Sequence, residues 1–191
     1  MDKMDKIKLI LIGYPGSQFI VPASRYLVQK YLPFETHWLN YTGDTRYWSR
    51  AVKEHLETIP DKEVIFALDD YLIGGFDEKV FKKAISVLSK TVQCVKLFHT
   101  NKAEHQGYPV TTQYCLWNKE FLIDLLEYTT TPWSFELEGS EIFKQLNVRS
   151  VYGYPAIQYN TSSCLSARWQ GVDWEGVKPS DMEYILNNHL I

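Results

Sequence analysis

The sequence is poor in the features that most directly announce a function. Its three cysteines, Cys94, Cys115 and Cys164, are far apart and odd in number. No C-x-x-C spacing exists, which argues against a disulfide framework or zinc ribbon and for reduced, buried thiols. There is no surplus of basic residues: the net charge is -3 and the pI about 6.0, leaving no electrostatic footprint for a duplex, so nucleic acid is not an expected partner. The apolar run from Ile7 to Ile12 is too short for a signal h-region or a membrane span. The expectation is therefore a cytoplasmic chain without a membrane span, in which the sequons Asn40 to Thr42 and Asn160 to Ser162 carry little weight. The loop Gly13-Tyr14-Pro15-Gly16-Ser17 has neither the lysine of a P-loop nor the spacing of a dinucleotide fingerprint. His99 and His105 lack metal-ligand spacing, and no Ser-His-Asp or Cys-His arrangement is supported by the residue order.

What is present describes an ordinary soluble globular protein, 45% hydrophobic and 23% charged. A length of 191 residues predicts one domain spanning 1–191, large enough to bury roughly 70% of the unfolded chain's surface without a metal or disulfide. Aromatic residues reach 15%, with six Trp and thirteen Tyr. Such rings suit stacking on bases and sugars, although most must serve the core.

Hydrophobic patterning predicts an α/β fold. Ile7 to Ile12 reads as a strand buried on both faces, ended by Gly13 to Gly16. An amphipathic stretch from Ala23 to Tyr31 reads as a helix stopped before Pro33, and Thr36 to Tyr41 as a second strand. Asp44 is placed to cap a helix whose apolar stripe is Trp48, Val52, Leu56 and Ile59. Glu63 to Leu68 is the next buried strand and runs directly into Asp69-Asp70. After Gly74-Gly75, Asp77 caps a helix bearing Val80, Ala84, Val87 and Leu88, with Phe76 and Phe81 as a hydrophobic staple. Val92 to Phe98 closes a strand-helix alternation that implies an at least partly parallel sheet.

The second half is less regular. Tyr108 to Cys115 reads as a strand, and Asn118 as the cap of a helix carrying Phe121, Leu122, Leu125 and Leu126 that Thr131-Pro132-Trp133 breaks. Ser140 is placed to cap a short helix through Leu146, Ser150 to Tyr159 alternates as a strand, and Ser180 to Glu183 has the form of a capping box.

Two segments could carry chemistry. Adjacent carboxylates Asp69 and Asp70 follow an apolar strand, where open α/β sheets place their ligands, and an oxygen-rich site suits Mg²⁺ or Mn²⁺. A solvated turn explains the pair as well. In Trp133-Ser134-Phe135-Glu136-Leu137-Glu138-Gly139-Ser140-Glu141, three carboxylates lie among aromatic residues. An irregular segment there would supply a general base, whereas a helix start would simply favour acidic residues in its first turn. Asp44 to Ser49 combines a charge pair with aromatics, suiting either a nucleotide or a capped core helix.

Taken in order, these segments resemble small glycosyltransferases of the GT-A kind. The residues that carry the resemblance are Asp44-x-Arg46-x-Trp48-Ser49, Leu68-Asp69-Asp70-Tyr71-Leu72-Ile73, Gln113-x-x-Leu116-Trp117-Asn118-Lys119-Glu120-Phe121-Leu122, Pro132-Trp133-Ser134-Phe135-Glu136 and Ser166-Ala167-Arg168-Trp169. More narrowly, the chain resembles the sugar transferases of bacterial surface-polysaccharide gene sets and of some large viruses and phages. The resemblance implies a GT-A-like (Rossmann-like), mixed, mostly parallel sheet flanked by helices. It further implies a nucleotide diphosphate sugar donor, a glycan or polysaccharide acceptor, and Mn²⁺ or Mg²⁺ on Asp70 and Asp69, which stand as Asp-Asp-Tyr where the family has Asp-x-Asp. It places Tyr14 beside the nucleobase, Asp44, Arg46 and Ser49 at the ribose or phosphates, Trp133 and Trp117 at the acceptor, and Glu136 as the base. At this length the acceptor site would be open at one side, or completed by a second copy, another chain or a fused domain.

Two other readings remain. A non-catalytic carbohydrate- or protein-binding module would use the aromatic surface and tolerate loss of Asp69 and Asp70. A sugar nucleotidyltransferase would use the same kind of sheet and carboxylate-bound Mg²⁺, but with a Gly-rich loop followed by Arg and Lys that Gly13 to Gln18 does not provide.

Overall fold

A computed structural model describes residues 3–99, 108–160, 172 and 174–191. Cys164, His105 and the Ser166 to Trp169 segment lie outside the described residues.

The chain begins with β1 (Lys8–Ile12), α1 (Val21–Tyr31), β2 (Thr36–Leu39), α2 (Trp48–Glu57) and β3 (Glu63–Leu68), a strand-helix alternation in which both crossovers return the chain parallel to itself. β1 is flanked by β2 and β3, so its residues face helices on both sides. Leu9 and Leu11 enter one apolar layer, with Ala23 and Leu27 of α1. Ile10 and Ile12 enter the other, with Trp48, Val52 and Leu56 of α2. A strand covered on both faces needs apolar residues at every position, which is why Leu9 to Ile12 shows no alternation.

The remaining elements are β4 (Leu72–Phe76), α3 (Glu78–Val87), β5 (Val92–Lys96), β6 (Cys115–Asn118), α4 (Lys119–Leu126), α5 (Pro132–Gln145), β7 (Arg149–Val151), β8 (Ile157–Asn160) and α6 (Pro179–Asn187). The main sheet has the order β2-β1-β3-β6-β5-β7, and β6 alone runs against its neighbours. This is the mixed, mostly parallel, helix-flanked sheet that the resemblance implies. Because β6 is reversed, the chain entering it stands at the same edge as the C-terminal ends of β1, β2 and β3. Thr112 accepts from the Leu68 amide at 2.9 Å and Tyr114 from the Leu97 amide at 3.0 Å. No helix among the described residues is long and apolar enough to cross a membrane.

Local chemistry explains the helix starts. Asp44 accepts from the Arg46 amide at the head of a 3-10 turn leading into α2, Asp77 from the Val80 amide, and Asn118 from the Glu120 amide. The Phe76–Phe81 staple forms, with ring centroids 5.6 Å apart.

Several expectations are corrected. Thr131-Pro132-Trp133 ends one helix but also begins α5: Thr131 caps it, Pro132 takes the first turn, and the Thr131 and Ser134 side chains each bond the other's backbone. The segment holding Glu136 is therefore helical, and Ser140 lies inside that helix, where its hydroxyl engages the Val110 backbone. The strand expected before Cys115 begins at Cys115 itself, and Ser150 to Tyr159 is two short strands in different sheets. The cap of α6 is Lys178 followed by Pro179, with no side-chain capping bond. Gly74-Gly75, given no element in the sequence reading, lies in β4, which pairs with β8 as a separate ribbon. A Cβ on Gly74 would stand 2.0 Å from the Gly176 carbonyl oxygen, so this crossing of two backbones demands glycine.

α5 is anchored by Phe135, which has no exposed surface and packs against Trp48, Phe66 and Trp117 with centroids 5.7 to 6.2 Å away. Replacing it by alanine is expected to lower the unfolding free energy by about 3–5 kcal/mol, read as an earlier midpoint in urea with an unchanged slope.

Candidate active site

Asp69 and Asp70 directly follow β3 at the edge described above, and both are almost wholly buried, at 2% and 4% exposure. The Asp69 amide donates to the Ile12 carbonyl at 3.1 Å, continuing the β1–β3 ladder by one rung and fixing the carboxylate against the loop after β1. Gly13 opens that loop. A Cβ there would lie 2.9 Å from Asp69 Oδ2, so the carboxylate occupies space that only glycine leaves. Asp69 Oδ1 is buried without a hydrogen-bond partner among the described residues. Burial, reinforced by the Asp70 charge, pushes the Asp69 carboxyl up to about 7.

Asp70 is held from the other side. Tyr14 donates its hydroxyl to Asp70 Oδ2 at 2.8 Å, and the Tyr14 ring stands edge-on to Trp133, with centroids 6.2 Å apart. The loop carrying Tyr14 is itself tied down, because Trp48 Nε1 donates to the Gly13 carbonyl at 3.2 Å. Tyr71 and Tyr114 pack on one another behind the pair, 6.1 Å apart. Burial and the Asp70 charge raise both hydroxyls well above the ordinary tyrosine range, with Glu136 adding to Tyr71 and Asp69 to Tyr114.

Glu136 lies one position beyond the Phe135 anchor, on the first turns of α5. Its Oε1 accepts from Thr111 Oγ1 at 2.9 Å, from the Thr112 amide at 2.7 Å and from Thr112 Oγ1 at 2.8 Å. Three donors on one oxygen fix the carboxylate's orientation and leave Oε2 without a hydrogen-bond partner among the described residues. The same two threonines precede the reversed strand β6, so sheet topology delivers them to Glu136.

The structure thus brings Tyr14, Asp70, Trp133 and Glu136 to one edge. Trp133 is 54% exposed beside Tyr14. Asp44 and Arg46 instead hold each other, the guanidinium reaching Asp44 Oδ2 at 2.6 Å in an exposed ion pair that pushes the Asp44 carboxyl down to about 2. Two expectations are corrected. Trp117 has no exposed surface and packs on Phe135, so it belongs to the core and offers no face to an acceptor. Ser49 is also fully buried, its hydroxyl 2.9 Å from that of Thr129 and its amide donating to the Thr130 carbonyl. It joins α2 to the turn before α5 and has no surface to give a donor sugar.

Sequence reasoning missed Thr111 and Thr112, whose role depends on β6 being reversed, and Tyr114, which resembles any core tyrosine. Tyr71 had a signal in its adjacency to Asp70. Elsewhere, Cys94 and Cys115 are buried free thiols, as expected.

Oxygen-only donors and the buried, unbonded Asp69 Oδ1 fit a hard divalent cation. Among the described residues no cluster of three or more His, Cys, Asp or Glu forms a metal cage, so the protein would supply the two aspartates, leaving the remaining positions to ligand oxygens and water.

No protein-family model matches the chain, and no curated protein matches its sequence. Solved structures do resemble it. A mannosyltransferase from Pyrobaculum calidifontis, solved with GDP-Man and Mn²⁺, superposes with a TM-score of 0.54 at 9% identity over 78% of this chain. The match spans about half of that enzyme, 54% of its length. A cytidylyltransferase from Leptospira borgpetersenii superposes with a TM-score of 0.52 at 10% identity, covering 96% of this chain and 94% of its own. A glycosyltransferase involved in glycosylation of the PBCV-1 major capsid gives a TM-score of 0.49 at 14% identity. At these identities the likeness shows the shared fold, GT-A-like and Rossmann-like.

The raised carboxyl of Asp69 carries a sign that solution work can check. A group that holds its proton more tightly folded than unfolded stabilises the fold below its unfolded pKa, near 4, and loses that contribution as pH rises through about 7. Metal-free protein should therefore lose up to roughly 4 kcal/mol between pH 4 and pH 8 from this group, and Asp69→Asn should flatten that slope in urea titrations.

Proposed function

We propose that the chain is a metal-dependent glycosyltransferase that moves a sugar from a nucleotide diphosphate sugar to a glycan or polysaccharide acceptor. The observation that carries this reading is the placement of a buried aspartate pair and an oriented glutamate at one sheet edge, with Asp70 and Glu136 both near enough to Tyr71 to raise its hydroxyl. Support from the fold comes from the mannosyltransferase, whose structure holds a sugar nucleotide and Mn²⁺.

Asp69 and Asp70 would hold Mn²⁺ or Mg²⁺. When bound, the cation neutralises charge developing on a leaving diphosphate. Tyr14 keeps Asp70 in place through its hydroxyl, and the ladder bond at Asp69 keeps the second carboxylate beside it. Trp133 offers an exposed aromatic face to an acceptor sugar ring. Glu136, its Oε1 fixed by Thr111 and Thr112, presents Oε2 to take the proton of the attacking hydroxyl. Asp44 and Arg46 stay assigned to the donor's ribose or phosphates, which would have to compete for Arg46 with its present partner. The acceptor site would be open at one side, or completed by a second copy, a partner chain or a fused domain. The mannosyltransferase, which extends well beyond the matched region, supports that view.

A second reading is a sugar nucleotidyltransferase, favoured by the near-complete length match to the cytidylyltransferase. It ranks behind because Gly13 to Gln18 contains no basic residue for a triphosphate. The two separate cleanly: nucleoside triphosphate plus sugar phosphate releases pyrophosphate in the second case only.

A thermal-shift screen of nucleotide diphosphate sugars with and without Mn²⁺ tests the reading directly. A ligand at 100 times its dissociation constant should add about 2.7 kcal/mol of stability, and the absence of any shift across the common donors would count against transferase activity. Asp70→Ala is expected to abolish the metal-dependent part of donor binding; tight Mn²⁺-dependent binding in that variant removes the metal assignment. Glu136→Gln should retain donor affinity and lose turnover by about 10²–10⁴-fold, so unchanged turnover removes Glu136 as the base.

A further inference from the structure

Between the loop after β1 and the end of β2 lies a cleft of 270 Å³ lined by Gln18, Val21, Pro22, Arg25 and Asn40. It adjoins the aspartate pair. The position a Cβ would take on Gly13 is 2.9 Å from Asp69 Oδ2 and 3.5 Å from Asn40 Oδ1, so Asp69 and a residue of the cleft wall meet over one glycine. From the helix side, Ser24 donates its hydroxyl to the Tyr71 carbonyl at 3.4 Å, which holds the Arg25 turn of α1 against the chain following Asp70.

Within the cleft, Gln18 is already committed: Nε2 donates to the Tyr14 carbonyl at 3.0 Å and Oε1 accepts from the Gly16 amide at 2.9 Å. Arg25 is not. It is exposed, its guanidinium lies over the Trp38 ring at 4.8 Å from the centroid, and it makes no ion pair with any described residue. A guanidinium held over an indole is restrained, and without an ion-pair partner among the described residues its N–H groups are available for bidentate donation to a phosphate.

Charge balance gives this cation a partner. A divalent cation on the two aspartates is largely offset by their charge, so a diphosphate bound to it still carries negative charge for protein cations to share. Arg46 is occupied by Asp44, and Arg25 is the only cationic residue among the described residues that line the cleft. We infer that Arg25 is a substrate-binding residue that grips a phosphate of the donor's diphosphate from this cleft, independently of the metal on Asp69 and Asp70. The inference rests on the nucleotide-sugar reading for the identity of that diphosphate.

Calorimetric titration of the whole chain, as wild type, Arg25→Ala and Arg25→Lys, tests it. The probes are inorganic pyrophosphate, UDP, GDP and the matching unphosphorylated nucleosides, each in EDTA and in Mn²⁺. Arg25→Ala is expected to weaken pyrophosphate and the preferred nucleoside diphosphate about tenfold in both conditions, with nucleoside binding and melting temperature unchanged and part of the loss restored by lysine. Unchanged diphosphate binding in Arg25→Ala overturns the inference, as does wild type that fails to bind pyrophosphate. An equal loss of nucleoside affinity also overturns it, since Arg25 would then be stacking on the base. If wild type binds pyrophosphate through Arg25 but no nucleotide, the phosphate grip stands and the nucleotide-sugar reading falls.

Discussion

Two carboxylates side by side, with almost no exposed surface, set the terms for the whole upper edge of this sheet. Burial and the Asp70 charge both disfavour charging Asp69, and the neighbouring residues are arranged around that cost. Tyr14 donates to Asp70, the β1–β3 ladder extends one rung to hold Asp69, and Gly13 withdraws its side chain to make room. The tyrosines packed behind remain protonated for the same electrostatic reason. A cation would relieve the pair, and a phosphate carried with it would bring charge of its own to be matched from α1.

The opposite wall follows from a different constraint, the filling of the layer between the sheet and helices α2, α4 and α5. Phe135 fits among Trp48, Phe66 and Trp117. Seating it fixes the rotation of α5 about its axis, so that Trp133 faces solvent while Glu136 reaches Thr111 and Thr112. The geometry of the glutamate is thus decided by apolar packing one residue away, with the threonines setting its final orientation.

Much of this was legible in the residues. Runs such as Ile10 to Ile12 and Val64 to Leu68 declare doubly covered strands, and Asp44, Asp77 and Asn118 declare helix starts, because the chemistry in each case is local. Asp69, Asp70, Trp133 and Glu136 stand out in the sequence as a carboxylate pair and an acidic aromatic segment; the structure buries the first two, exposes Trp133 and fixes Glu136 through Thr111 and Thr112. What escaped the sequence depended on distant segments. Gly74-Gly75 has the composition of a turn and becomes a strand only because β8 pairs with it and Gly176 crosses it. Pro132 marks a helix end and a helix beginning equally well, and tertiary packing of Phe135 decides between them. Trp117 and Ser49 carry side chains suited to binding, yet their elements turn them inward.

The seating of α5 leaves the helix with two separable sets of positions. Pro132, Phe135, Gly139, Ser140 and Phe143 are committed to the interior, whereas Trp133 and Leu137 project outward, each more than half exposed. Changes on the outward set alter the surface this edge presents without moving the glutamate or loosening the helix. A fold of this size can therefore change the surface beside its carboxylates by repainting a single helical face, while the residues behind it stay in register.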